Sequence, residues 1–260
     1  MTQALAADMA EVVIEDQEAI LDGSSVDPGT GVAVASPAVA GLASPPPCQP
    51  ALSPNPPGNA DGDAVPDSVQ LDFAGCAFTR GNYAFTLSGL VHIIDPTAAQ
   101  EGFGVRGVFE GFARERTFLP TGRSVTVEFN GARQVTGTSD QVSHLITGFE
   151  TLITAPGRGT ATHLKNWNAT FTADLPGSLA HDQPVPSGTL NVAGSSEWSR
   201  EDEEVFAMTI TTSGLHFNAG CVVFPRLDAG TSVLVITRRG ATHTVTVEHT
   251  ACGQYTVTRS

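Results

Sequence analysis

Over the last two thirds of the chain the apolar residues fall at every second position. Phe85, Leu87, Val91 and Ile93 are interleaved with Thr86, Ser88, Leu90 and His92. Val125, Val127 and Phe129 alternate with Ser124, Thr126 and Glu128, and Phe206, Met208 and Ile210 with Ala207, Thr209 and Thr211. Val245 and Val247 alternate with Thr244, Thr246 and Glu248. A period of two gives each strand one buried and one wet face, as in antiparallel sheets. Asn130-Gly131, Pro156-Gly157, Pro176-Gly177 and Arg239-Gly240 are the expected turns between strands. No helical stretch interrupts the pattern, which excludes parallel βαβ folds. The pattern therefore predicts an all-β domain over 67–260. It is a large antiparallel meander curling into a barrel, half-barrel or sandwich, because so long a meander must hide its edges.

The first third reads differently. Leu5, Met9, Val12, Val13 and Ile20 recur near a helical period with acids between them, predicting one short amphipathic helix over 1–22, with Gly23 as its stop. Such a helix is marginal alone and needs a surface to pack on. Residues 23–66 hold ten of the chain's seventeen prolines, among Gly, Ser and Ala. Proline fixes φ and removes a donor, so this zone reads as an extended linker ending in an acidic loop.

Charge follows the same division. Among the first 79 residues there are eleven acids and no Lys or Arg, and the remaining sixteen acids nearly balance thirteen bases. A net charge of −14 argues against nucleic acid, which is held by cations neutralising phosphates, and against docking on anionic lipid. No apolar run approaches the ~20 residues of a membrane-spanning helix.

Cys48, Cys76, Cys221 and Cys252 include no C-x-x-C pair, which disfavours thioredoxin-like chemistry and a zinc ribbon. A single four-thiolate zinc site is the weaker reading. Two disulfides in an oxidising compartment fit better. Of the three connectivities, Cys48–Cys76 with Cys221–Cys252 closes the shorter loops and is preferred. The compartment then expected is an oxidising one, such as a cell envelope or the exterior. The start lacks a basic n-region and an apolar h-region, so export implies a targeting segment, or a lipid anchor, upstream of Met1.

The segment Asn59-Ala60-Asp61-Gly62-Asp63-Ala64-Val65-Pro66-Asp67 carries the best candidate chemistry. Oxygen side chains at Asn59, Asp61 and Asp63, the carbonyl of Val65, and Asp67 match the first nine places of a calcium loop. Calcium is large and hard and takes six to eight oxygens from such a wrap. Ala64 stands where the loop prefers Gly, and Gln70 stands where an acid usually closes the shell. The other reading is a solvated acidic turn. The segment resembles the D-x-D-G-D-G-x-P-D element of thrombospondin type 3-like repeats. With the Cys-x-P and L-S-P elements of Cys48 to Pro54, and Leu71 to Cys76 after it, the stretch 48–76 resembles an uncharacterised family of bacterial envelope lipoproteins. That resemblance implies export, lipid anchoring and a β-rich body, and no activity.

The other polar residues select no site. His243 and His249 share a strand face but lie ~20 Å apart, and His92 and His144 fall in different strands, so structural or surface histidines are expected. Glu201-Asp202-Glu203-Glu204 reads as a solvated hairpin tip. No serine lies in a G-x-S-x-G elbow. Trp167 and Trp198 read as core aromatics before ligand platforms. Asn168-Ala169-Thr170 fits a glycosylation acceptor. Phe73-Ala74-Gly75-Cys76 and Asn218-Ala219-Gly220-Cys221 match as short repeats. The expected function is a non-enzymatic envelope or extracellular β-rich structural or binding module. The alternative is a carrier of lipid or another apolar ligand in an open β-barrel, with the N-terminal helix as lid. A polysaccharide hydrolase ranks third, because nothing selects a pair of carboxylates.

Overall fold

A computed structural model describes residues 2–21, 50–62, 65–97, 103–157, 159–180, 184–200 and 203–260. Helix α1 (Gln3–Leu21) is followed by β1 (Ala51–Ser53), β2 (Ser68–Asp72), β3 (Cys76–Arg80) and β4 (Tyr83–Ile94). Then come β5 (Phe103–Phe118), β6 (Arg123–Gly137), β7 (Gln141–Ala155), β8 (Gly159–Ala173) and β9 (Gly188–Arg200). The last strands are β10 (Glu203–Phe217), β11 (Leu227–Arg238), β12 (Ala241–Ala251) and β13 (Gln254–Arg259). All belong to one antiparallel 13-stranded sheet in chain order, with β2 and β3 both on the outer edge of β4. The sheet does not close: β1 and β13 are its ends. The antiparallel meander expected from the alternation is therefore present, in an open form. Ala51–Ser53, inside the stretch read as linker, forms β1 against Gln70–Asp72.

One buried cluster joins Leu71, Val91, Phe129, Trp167, Leu190, Ile210, Leu234 and Val245, which come from strands β2 to β12. Phe112, Phe129 and Leu190 are almost fully buried although one helix is too small to cover so wide a face, so the sheet curls around its apolar side.

Glycines make the bend. β5, β7 and β10 each carry one residue more than their neighbours, and the surplus is Gly111, Gly148 and Gly214, at φ of +57°, +54° and +58°. Each is followed by a buried side chain, Phe112, Phe149 or Leu215. Opposite them stand Gly89, Gly131 and Gly230, where an added Cβ would lie 2.0–2.2 Å from the carbonyl oxygen of the bulge glycine. Phe73-Ala74-Gly75, the break between β2 and β3, extends the same line beside Gly89, whose carbonyl accepts the Phe73 N–H at 3.1 Å. Side chains stitch it: Asn130 Oδ1 accepts the Gly111 N–H, and Asn166 Oδ1 the Gly148 N–H, both at 2.7 Å. Bulges of this kind bend strands and strengthen twist. The expectation of a turn at Asn130-Gly131 is corrected here. That pair lies inside β6, and its glycine serves the crease instead of a reversal.

The predicted helix is present, but its buried face is rotated from the one expected. Ala6, Ala10, Val13, Ile14, Gln17 and Glu18 are buried, whereas Val12 is exposed. Ala6 and Val13 belong to the main core, and Ala10 and Ile14 pack with Val247 of β12. Small alanines let the helix approach the sheet closely, and the sheet provides partners for the two buried polar groups. Thr244 and Ser260 exchange both backbone hydrogen bonds, so the Val257 carbonyl, an odd number of register steps along, points to the free edge of β13. The Gln3 amide donates to it at 3.1 Å and covers part of that edge. Among the described residues no helix is long and apolar enough to cross a membrane.

Candidate functional site

Because the strands are antiparallel, the β8–β9 connection, the β10–β11 loop and the β12–β13 turn meet at one rim. His216, near the end of β10, is its hub. Its Nδ1 lies 2.6 Å from Asp228 Oδ1 of β11, and its Nε2 lies 2.9 Å from Asp174 Oδ2, just past β8. Asn218 Nδ2 donates to the other oxygen of Asp228 at 2.6 Å. Ser187 accepts the Asp174 N–H on its carbonyl and the Ala219 N–H on its hydroxyl, both at 3.0 Å. Burial pulls the His216 pKa down, but hydrogen bonds and charge from Asp174 and Asp228 outweigh it and hold it above its ordinary value. Burial pushes Asp228 up, and the His216 and Asn218 hydrogen bonds overcome this to leave it low. With a carboxylate at each ring nitrogen, His216 is an imidazolium tie between strands. Neither nitrogen is left to act as a base on a ligand.

Beside this hub the chain loops out between Asn218 and Arg226, whose backbones pair at 2.9 Å. Cys221 is bonded to Cys252 of the β12–β13 turn, and the Gly253 N–H donates to the Pro225 carbonyl at 2.8 Å. The base of the loop is therefore fixed. Its tip is apolar: Val222 is 97% exposed, Val223 51% and Phe224 58%, with Leu175 of the neighbouring connection at 69%. On the inner side of the rim Glu18 of α1 accepts the Arg226 backbone N–H and, at 2.9 Å, its Nε. The same guanidinium lies 4.9 Å from the Phe217 ring centroid. Two further ties fix α1 to the inner face. Lys165 Nζ of β8 reaches Asp16 at 2.6 Å, and Gln17 Nε2 donates to Ser232 Oγ of β11 at 3.0 Å.

The acidic loop closes on itself. The Gly58 carbonyl accepts the Asp67 N–H at 2.9 Å, Asp67 Oδ1 the Ala60 N–H at 2.8 Å, and Asn59 Oδ1 the Gly62 N–H at 2.7 Å. This brings Asn59 and Asp67 together around Asp61, while Val65 turns its side chain into the core. The Asp95 N–H joins the loop to β4 through the Asp67 carbonyl at 3.2 Å, and Asp95 Oδ2 is buried with no hydrogen-bond partner among the described residues. Asp63 lies outside the described residues. Among those described, no three His, Cys, Asp or Glu side chains are arranged to hold a metal. Cys76 is disulfide-bonded, and Cys48, the partner expected for it, lies outside the described residues.

The remaining candidates take structural places. Trp167 is buried and its Nε1 donates to Ser196 Oγ at 3.0 Å, while Trp198 stacks on His163 at 3.6 Å. Burial pushes His144 and His163 down to about 3, helped by Arg133 and Lys165 respectively, and His249 down to about 4. Asn168 is exposed on β8. The repeat of Phe73–Cys76 and Asn218–Cys221 is a shared turn, in which the cysteine N–H returns to the first carbonyl at 3.1 and 3.0 Å. Glu203 and Glu204 open β10, and Glu201 and Asp202 lie outside the described residues.

Periodicity did not reveal the rim. His216 had no local partner motif, because its two carboxylates come from other strands. Val222-Val223-Phe224 did carry a signal: three apolar residues in a row between a cysteine and a proline break the period of two. Comparison with protein-family models, curated proteins and solved structures yields no match.

Proposed function

We propose that the chain is a non-enzymatic binding module of the cell envelope or exterior, a curled sheet whose inner face is covered by α1. One observation carries this reading: the clustered polar groups are engaged in holding the fold. His216 ties three segments, Arg226 and Lys165 tie the helix, and the most exposed large side chains among the described residues of the rim are apolar. The Cys221–Cys252 bond supports an oxidising compartment. Fractionation of the producing cells is expected to find the chain in the envelope or medium with this pair oxidised. Recovery from the cytosol with free thiols would remove the reading.

A second reading, carriage of an apolar ligand under α1, is favoured by how that helix is held. Ala6, Ala10 and the polar Gln17 and Glu18 share its buried face with Val13 and Ile14, so polar ties carry part of its hold on the sheet and can be removed singly. Glu18→Ala removes the Glu18 carboxylate from Arg226 and favours release. A fluorescent fatty acid should then bind the variant about tenfold tighter than the natural chain, the occlusion by a closed lid being relieved. No saturable binding to either chain would eliminate the carrier.

Calcium at the acidic loop belongs to the same proposal, with oxygens from Asn59, Asp61, Asp63, the Val65 carbonyl and Asp67. Binding in the extracellular range, ~10⁻⁴–10⁻³ M, is expected. At ten times Kd it raises the melting temperature by roughly 3–6 °C, and Asp63→Ala abolishes the rise. Identical melting curves in calcium and in EDTA would leave only a solvated turn.

A further inference from the structure

We infer that the Val222-Val223-Phe224 tip, with Leu175 exposed in the β8–β9 connection of the same rim, is a membrane-docking wedge whose partner is the surface of a bilayer with zwitterionic headgroups. The tip is built to stay exposed. The Asn218–Arg226 backbone pair closes its base, the Cys221–Cys252 bond fastens one arm, and the Gly253 N–H holds the Pro225 carbonyl on the other. Val223 rests against the β12–β13 turn, so close that a Cβ on Gly253 would lie 2.9 Å from its Cγ2. A loop fixed in this way loses little freedom on docking, and the cost of ordering it has been met in folding.

Three observations select a bilayer over a protein. The first is shape. Val222 is 97% exposed, so the apolar residues project from a loop end instead of lining a groove or a flat face. A projecting tip needs a complementary pocket on a protein, whereas a lipid interface accommodates it without one. The second is area. Four side chains at these exposures present on the order of 400 Å², about half of the ~800 Å² per partner that a stable protein interface buries. The third is charge. The ionic groups behind the tip are engaged in ion pairs, Glu18 with Arg226 and the carboxylates of Asp174 and Asp228 with His216, and two carboxylates on one imidazole leave that side of the rim net negative, which favours a neutral over an anionic surface. The chain as a whole carries −14, which opposes an anionic surface and leaves a neutral one open.

The inference takes from the proposed function only the placement in the cell envelope or exterior, where the chain can meet a membrane. It does not depend on whether the inner face holds a ligand. Co-sedimentation of the full, oxidised chain with phosphatidylcholine vesicles tests it. The natural chain is expected to partition onto the vesicles at millimolar lipid, and several-fold less when about a third of the lipid is phosphatidylserine. Val222→Asp, at so exposed a position, should keep the melting temperature and lose at least about tenfold in partitioning. Val222→Leu should bind as well as the natural chain or better. Phe224→Asp should lose binding as Val222→Asp does. Failure of the natural chain to sediment with phosphatidylcholine would overturn the inference, as would equal binding by Val222→Asp. Sedimentation velocity closes the remaining route. Self-association of the natural chain that Val222→Asp abolishes would assign the tip to a second copy and overturn the bilayer.

Discussion

His144, His163 and His249 are buried with ring nitrogens that find no hydrogen-bond partner among the described residues, and burial holds their pKa values at about 3, 3 and 4. The folded chain therefore keeps them neutral below pH 6.5, where the unfolded chain protonates them. Their contribution is complete above pH 6.5 and is lost as pH falls towards 3–4, each adding a slope of about 1.4 kcal/mol per pH unit. His216 has the opposite sign. Its folded pKa is raised, so its contribution is complete below pH 6.5 and is lost as pH rises through the folded value. Urea melts across roughly pH 4.5–9 should show a stability maximum near neutrality. His144→Leu should flatten the acid side alone, and His216→Gln the alkaline side alone. A curve unchanged by either substitution would refute this assignment. At this scale the sequence showed that no histidine pair shared a site, and their structural role agrees with that. It did not show which ones were buried, because strand parity shifts at each bulge. Nor did it show His216, whose partners are 42 and 12 residues away.

At the scale of elements the crease separates what periodicity reveals from what it hides. The short alternating runs are real strands, and Pro156-Gly157, Pro176-Gly177 and Arg239-Gly240 lie between strands as expected. In β5, β7 and β10 an extra glycine reverses the parity midway, so each of these strands reads as two patterns. Asn130-Gly131 resembles a hairpin turn for the same chemical reason that it can face a bulge: glycine tolerates positive φ. The two kinds of crease glycine should respond differently to substitution. At Gly131, φ is +105° and a Cβ would sit 2.2 Å from the Gly148 carbonyl oxygen, so Gly131→Ala must move backbone. It is expected to cost roughly 3 kcal/mol or more. At Gly148, φ is +54° with nothing within 4 Å, so Gly148→Ala meets only the left-handed backbone penalty of about 1–2 kcal/mol. The melting temperatures should differ by several degrees. Equal losses would mean that the crease is not built on close backbone approach.

For the molecule as a whole, composition separated a proline-rich stretch from a balanced β-body, and an open antiparallel sheet follows from that body. The helix was legible as an element but not as a fit. Its buried stripe includes Gln17 and Glu18, which look like solvent positions until Ser232 of β11 and Arg226 just before it meet them from more than 200 residues away. Long-range ties of this kind make α1 part of the sheet's core, and they are what the proposed covered inner face depends on. Amide hydrogen exchange read by mass spectrometry tests that dependence most directly. In the natural chain the amides of Ala10–Glu18 should exchange about as slowly as those of β11 and β12. In Glu18→Ala the helix should exchange much faster while β5–β7 remain protected. Complete exchange of α1 in the natural chain within seconds, with the strands still protected, would contradict the account.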